Sequence, residues 1–368
     1  MENKGLLFIP DISGFSRFVT ETEIGHSRLI IQELLEILIN ANEIGLEISE
    51  IEGDAILFYK FGEPPALDAL YRQVEKMFCA FHQTLMAYEQ HRYCQCKACI
   101  SASMLTLKVI THYGEFTGYS IKNFNKLIGK DVIVAHQLLK NDIPQHEYWI
   151  ITRNLSGENQ PTGFAQWMRW DNSVKHSENG DIPFLYTQLG PLKQALVPEG
   201  PTLFGIENQV KVLSVEKEYD TDIITLFHAT GDFQYRNRWQ QGVKGVEVVG
   251  HFLPRVGMKC RVVFEDSELH IYSSSYRYQD DRIEFSETDE NKSSTTWFTL
   301  QRVAPKRTKL TLDFYLTRNL SALVMFPLFR KRKVEQEYRI SMENLVGLVK
   351  ELRIPSADVG DEEVQKEE

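Results

Sequence analysis

The chain has 368 residues, a net charge of −10, and ordinary apolar (42%) and charged (25%) fractions. The length exceeds one typical core and predicts two domains. The acidic balance gives no field for unspecific nucleic-acid binding, so nucleic acid is excluded as an expected partner. Five cysteines, behind a start with no charged-then-apolar leader, predict thiols or metal ligands in a cytoplasmic protein rather than structural disulfides.

In chain order, residues 6–9 read as a buried strand that Ser13-Gly14 breaks. A helix follows, with Leu29, Ile30, Leu34, Leu35, Ile37 and Leu38 at three- and four-residue spacing. Residues 46–49 and 55–61 pair as a hairpin around Glu52-Gly53-Asp54. A second amphipathic helix carries Leu67, Leu70, Val74, Met77, Phe78, Phe81 and Leu85 on one face. A polar, cysteine-rich connection over 91–99 leads to a strand over 105–112, a short helix over 128–139 and a strand over 148–152. That order predicts a mixed sheet with helices packed on it, in a first domain spanning 1–155. Residues 156–207 read as a connecting segment with one or two added strands, among them 184–188. The second domain, 208–352, shows seven strand-like segments and a long closing helix over 334–352, a curved antiparallel sheet over a helix. The acidic tail 353–368 is expected to be disordered. The fold class is therefore α+β. The apolar run 320–329 is too short to cross a bilayer, so no transmembrane segment is expected. Arg330-Lys331-Arg332-Lys333 follows it, which suits an anionic membrane surface or, as the preferred reading, a solvated helix start.

Two aspartates stand beside small residues at strand ends: Asp11 in Phe8-Ile9-Pro10-Asp11-Ile12-Ser13-Gly14-Phe15, and Asp54 in Glu50-Ile51-Glu52-Gly53-Asp54-Ala55. Paired carboxylates on neighbouring strands suit a hard divalent cation held against phosphate. The same residues also suit a helix cap (Asp11) and a turn (Asp54).

These stretches, with His112-Tyr113-Gly114-Glu115-Phe116 and Gly129-Lys130-Asp131-Val132 followed by Ala135, resemble in order and spacing the class III nucleotidyl cyclase catalytic domain, with its ferredoxin-like fold. The resemblance implies Mg²⁺ or Mn²⁺ on Asp11, Asp54 and the Ile12 carbonyl. It implies triphosphate contacts from Ser13, Gly14 and Phe15, a purine nucleotide as ligand, and a homodimer or heterodimer. It also exposes departures. The family's ribose-orienting Asn falls on Ile133 and its transition-state Arg on Gln137, so no catalytic residue is assigned. Loss of such a cationic donor costs roughly 10²–10³-fold in rate. The purine-reading positions fall on Glu50 and Lys126, which can also pair as a salt bridge. His136 is a candidate substitute for part of the missing function.

His91, Cys94, Cys96 and Cys99 are candidate zinc ligands, with Cys79 an alternative to His91. Ordinary reduced thiols and a redox-sensitive loop are the other readings. In the second domain, Trp239-Gln240-Gln241-Gly242-Val243, Val246-Glu247 and Pro254-Arg255-Val256-Gly257-Met258, together with the closing helix, resemble the START-like (SRPBCC) helix-grip superfamily. The resemblance implies an apolar small molecule or lipid between sheet and helix. Trp239, Phe264, Tyr276, Phe285, Trp297, Phe314 and Met342 are candidate lining residues, each of which can also be plain core.

Taken together, the sequence points to a regulatory or sensory protein that joins a degenerate cyclase-like domain to an apolar-ligand-binding domain. An active purine nucleotidyl cyclase, in a heterodimer or with unusual residues, is the alternative. A lipid-binding protein with a cyclase-fold dimerisation scaffold is the third reading.

Overall fold

The structure is a computed structural model that describes residues 3–92, 94, 96–122, 124–157, 161, 164–177, 180–197, 208–249, 256–279 and 281–352. Two units emerge: Met1–Ala87 with Ser101–Glu199, and Tyr88–Ile100 with Gly200–Glu368. The tail 353–368 and the Pro254-Arg255 pair lie outside the described residues.

The first unit is built on β1 (Lys4–Ser13), buried from Gly5 onward because it runs between two neighbours and is covered on both faces. The chain continues through α1 (Phe15–Glu21), α2 (Ile24–Asn40), β2 (Glu47–Glu52), β3 (Ala55–Phe61), α3 (Leu67–His91), α4 (Lys97–Ser101) and β4 (Thr106–Glu115). Ile30, Leu34 and Leu38, four apart, form the buried stripe of α2. The sheet order β2-β3-β1-β4 over this βαββαβ run is the ferredoxin-like arrangement. Next come the ribbon β5 (Thr117–Ile121) and β6 (Phe124–Ile128), then α5 (Lys130–Leu139) and β7 (Tyr148–Thr152), which joins β4 in parallel.

Gly114 lies inside β4, not beyond a strand end as expected. A Cβ there would meet Asp131 Cγ at 2.2 Å. Its absence lets the Asp131 carboxylate reach the strand, accepting from the Glu115 N–H at 2.7 Å and lying 3.0 Å from His112 Nε2.

Residues 156–207, expected as a connecting segment with one or two added strands such as 184–188, hold two among the described residues, and these extend the first sheet. After α6 (Arg153–Ser156), β8 (Asp171–Ser177) and β9 (Gly180–Gln188) form a hairpin, and β9 pairs with β7. α7 (Gly190–Ala195) follows. All of β7 is buried, and β9 satisfies the backbone edge of β7 that faces away from β4.

The second unit is a seven-stranded antiparallel sheet, order β10-β16-β15-β14-β13-β12-β11. The strands come after α3 and α4 in the chain: β10 (Gln209–Tyr219), then, past α8 (Ile223–Gly231) and α9 (Arg236–Trp239), β11 (Gly245–Val249), β12 (Lys259–Val263), β13 (Glu268–Gln279), β14 (Arg282–Asp289), β15 (Ser294–Ala304) and β16 (Arg307–Thr317). Register breaks at Lys211/Leu213 and Ser273/Ser275 act as bulges that bend the sheet. The closing helix α10 (Lys331–Glu351) buries Met342, Leu345, Leu348 and Val349 in one core with Phe285, Phe298, Leu300 and Leu312. This is the helix-grip arrangement.

Sequence reading missed α8. Every residue of that helix except Ile224 is buried, so it has no polar face to read, and its start is set by Asp222, which accepts from the Thr225 N–H at 2.8 Å. A π-helical stretch, Ser321–Arg330, precedes α10. No helix among the described residues is long and apolar enough to cross a membrane.

Candidate functional site

In the first unit, antiparallel register places three charged residues together. Asp11 is the cross-strand partner of both Ala55, next to Asp54, and Lys108. The Ile12 N–H donates to the Asp54 carbonyl at 3.0 Å, which ties the hairpin turn to β1. Asp11, Ile12, Ser13, Gly14, Phe15 and Asp54 all line one cavity of about 530 Å³. Asp11 sits within its strand. The first helix is capped at Gly14, whose φ of 90° marks a left-handed turn, and no side chain caps it. The capping role considered for Asp11 is therefore not the one it takes, whereas Asp54 does occupy a turn.

Lys108 escaped the sequence reading. Its Nζ lies 3.3 Å from Asp11 Oδ1, with both side chains largely buried. The signal was available in the register alone, since opposed residues on antiparallel strands share a face. Burial raises the Asp11 pKa, and the Lys108 ammonium offsets part of that rise. Asp54 is pushed up to about 6, first by burial and then by the Asp11 charge. Arg17, Lys140, His136, His146 and Glu52 also line the cavity, and Arg17 and Lys140 bring positive charge that attracts anions. Ser13 Oγ is buried without a hydrogen-bond partner among the described residues, a polar atom available to a ligand oxygen.

The remaining positions divide. His136, on α5, reaches the cavity wall, while Ile133, 52% exposed, and Gln137 do not line it. Glu50 and Lys126 form an ion pair with each other and lie outside the cavity lining.

The segment read as a polar connection is buried. Cys94, Cys96 and Cys99 are each 1–2% exposed, and their sulfurs lie within 4.8 Å of one another. This cluster can hold a metal ion. Burial drives the Cys94 thiol well above its ordinary range, with the two neighbouring cysteines adding to the effect. His91 ends α3, and its side chain lies outside the described residues. Cys79, on α3, is not among the converging thiols. Within this unit the imidazole of His228, on α8, contacts Cys94, with Nε2 3.3 Å from its Sγ. It lies far away in sequence, so no local spacing could reveal it.

The second unit has a cavity of about 320 Å³ between its sheet and α10. Trp239, Phe264 and Phe314 line it, and the four other candidates do not. Tyr276, Phe285 and Met342 pack in the core cluster. Trp297 alternates with Thr296 and Phe298, which face the cavity, so the pleat turns it to the other side. The lining is also less apolar than expected. Arg236, 2% exposed, pairs with Glu287 through both terminal nitrogens, and its guanidinium lies over the Trp239 and Phe233 rings at 5.1 Å. Arg236 Nε and Trp239 Nε1 are buried donors without a partner among the described residues.

Residues 31–148 match a family model described as a protein of unknown function (DUF2652). The chain is 32% identical over 129 residues to the uncharacterised protein Rv2561/Rv2562 of Mycobacterium tuberculosis, covering 33% of this chain and 56% of that one. It thus spans little more than half the length of this curated relative. Solved structures similar to the chain include cyclase catalytic domains and START superfamily proteins. One is the catalytic core of a rhodopsin-guanylyl cyclase with converted specificity, in complex with ATPαS: TM-score 0.37, 13% identity, covering 51% of this chain and 96% of that one. Another is a START superfamily protein from Mycobacterium smegmatis: TM-score 0.31, 17% identity, covering 39% of this chain and all of that one.

Proposed function

We propose that the first unit binds a purine nucleotide through its phosphates without turning it over efficiently, and that the second unit binds an amphipathic small molecule. The chain is then a ligand-responsive regulatory protein, acting as a dimer through its cyclase-like unit. The observation that carries this reading is the Lys108–Asp11 contact in the acidic cavity. A fixed ammonium already neutralises one of the two carboxylates that a two-metal site needs free. The donor set that remains, Asp54, the outer oxygen of Asp11 and the Ile12 carbonyl, suits one hard divalent cation, Mg²⁺ or Mn²⁺, which would screen phosphate charge. Arg17, Lys140 and Ser13 would hold phosphate oxygens. With Ile133 and Gln137 off the cavity, neither of these positions orients the ribose or stabilises the transition state.

The test incubates the purified full chain with Mn²⁺ and ATP or GTP. Calorimetry is expected to show nucleotide binding that Asp54→Ala weakens, with cyclic product no higher than in that variant. Asp54-dependent cyclic product would establish the rival reading, an active cyclase in which His136 and Lys140 serve. No nucleotide binding at all would reduce the first unit to a dimerisation scaffold.

A lipid-facing reading of the second unit is favoured by one specific observation. Leu320, Leu328 and Phe329 are 78%, 70% and 73% exposed, directly before the exposed Arg330-Lys331-Arg332-Lys333, and Arg330 lines the cavity. Apolar side chains beside clustered cations suit the surface of an anionic membrane. Flotation with phosphatidylglycerol vesicles is expected to capture the chain, and pure phosphatidylcholine vesicles to capture far less. Leu328→Glu combined with Phe329→Glu should abolish capture. Equal capture by both vesicle types would remove the electrostatic part of the reading, and no capture by either would remove it altogether.

A further inference from the structure

We infer that the cavity of the second unit selects an uncharged ligand whose buried end carries a carbonyl oxygen (a ketone, ester or amide) over carboxylates and ammonium ions of the same length. The inference rests on the reading that this unit binds an amphipathic small molecule, and it names the chemistry of that molecule's polar end.

Two donors call for an acceptor. Arg236 and Trp239 both line the cavity, and each is 2% exposed. Arg236 Nε and Trp239 Nε1 are buried without a hydrogen-bond partner, and no other lining residue has such an atom among the described residues. The two side chains are neighbours, since the guanidinium carbon lies 5.1 Å from the centroid of the Trp239 ring. A buried N–H left bare costs the full desolvation of the group. A carbonyl oxygen has two lone pairs and donates nothing, so one oxygen can serve two adjacent donors. A few placed polar groups in an apolar pocket are what fix a ligand's orientation.

The charges in the lining disfavour ions. Arg236 is already neutralised by Glu287, with Nη1 donating to Oε2 at 3.0 Å and Nη2 to Oε1. Asp289, 5% exposed, adds a second buried carboxylate to the wall. An anionic head at the two donors therefore meets one guanidinium against two carboxylates. A cationic head fares no better, because it meets N–H donors. The Glu287 oxygens are engaged by Arg236, and the Asp289 oxygens accept from Asn291, Ser293 and Ser294. The other ionisable lining residues, exposed Arg330 and half-buried Glu337, have opposite signs and leave this balance unchanged. A hydrocarbon fills the volume but leaves both donors bare. A trapped water is the alternative partner, and it gives no preference for a carbonyl.

The full chain is tested at neutral pH with four probes of one chain length: 2-octanone, octanoate, octylammonium and octane. Headspace partitioning measures the neutral pair, and calorimetry the ions. 2-Octanone is expected to bind more tightly than either ion. In Trp239→Phe the ratio of 2-octanone to octane affinity should fall roughly 2–10-fold, the loss of one neutral hydrogen bond, with octane reporting that the cavity persists. A second measurement needs no variant that might misfold. In the wild-type chain labelled with ¹⁵N-tryptophan, the Trp239 indole N–H resonance should move downfield with 2-octanone and not with octane. Octanoate binding as tightly as 2-octanone, an unchanged affinity ratio in Trp239→Phe, or an equal resonance shift with octane would each overturn the carbonyl assignment while the amphipathic reading stands. Failure of all four probes to bind would overturn the amphipathic reading, and the assignment with it.

Discussion

Replacing Glu287 by alanine is expected to destabilise the second unit by about 3–5 kcal/mol, the usual cost of breaking a buried ion pair from one side. Glu287 is 7% exposed and Arg236 2%, and the pair is bidentate, with Arg236 Nη1 donating to Glu287 Oε2 at 3.0 Å. The truncation leaves a guanidinium enclosed by Phe233, Trp239 and Phe298, with these ring faces and the 3.3 Å hydrogen bond from Nη1 to Gln240 Oε1 as compensation. Cation–π contacts supply a fraction of the lost carboxylate. The double replacement Arg236→Met with Glu287→Leu removes both charges and is expected to cost less than either single change. Urea unfolding of the full chain measures all three, and a single-variant cost under about 1 kcal/mol would mean that the pair is solvated. The pair also bears on ligand choice. The partnerless donors Arg236 Nε and Trp239 Nε1 lie beside it, so a ligand that presents an acceptor oxygen to the cavity floor suits the site better than a pure hydrocarbon.

Lys108→Ala is expected to tighten Mn²⁺ binding at the Asp11–Asp54 pair by roughly 10–100-fold, equivalent to losing a charge-assisted contact of about 1.5–3 kcal/mol that competes with the metal. Titration of the variant against wild type by calorimetry checks this. Unchanged or weaker affinity would show that the ammonium supports the cation site instead of competing with it. The pH dependence follows from Asp54. Its folded pKa, about 6, exceeds its ordinary 3.8. The protonated folded form is therefore favoured: this contribution to stability is present in full below about pH 4 and lost as pH rises through 6. Proton and metal compete for the same carboxylate. Mn²⁺ affinity should climb by up to about tenfold per pH unit below 6 and level off above it, and the climb should be absent in Asp54→Asn.

Much of the architecture was legible because it rests on strong local periodicity. The expected 148–152 strand is β7 to the residue, and the seven strand-like segments of the second domain correspond to its seven strands. What escaped was long-range. The expected 184–188 strand is the second half of β9, but β8 is a largely polar run, and only its pairing with β9 explains why it is a strand. The acidic pair could be read from motif order, but Lys108 becomes part of it only through register with β1. His228 reaches Cys94 from a helix with no polar face, and Trp297 turns away from the cavity because composition cannot tell one face of a pleated strand from the other.

The position of β1 between β3 and β4 has a consequence for how the acidic cavity can be regulated. Asp11 and Ile12 lie on a strand whose amides are locked on both sides, so hydrogen exchange there should proceed only through opening of the whole unit. Asp54 sits instead at the tip of a hairpin whose outer strand, β2, is the edge of the sheet and is mostly exposed. Half of the cation site is thus fixed for the lifetime of the fold, while the other half can breathe on the faster timescale of a fraying edge. A signal that reaches this cavity would act through the hairpin and leave the floor unmoved.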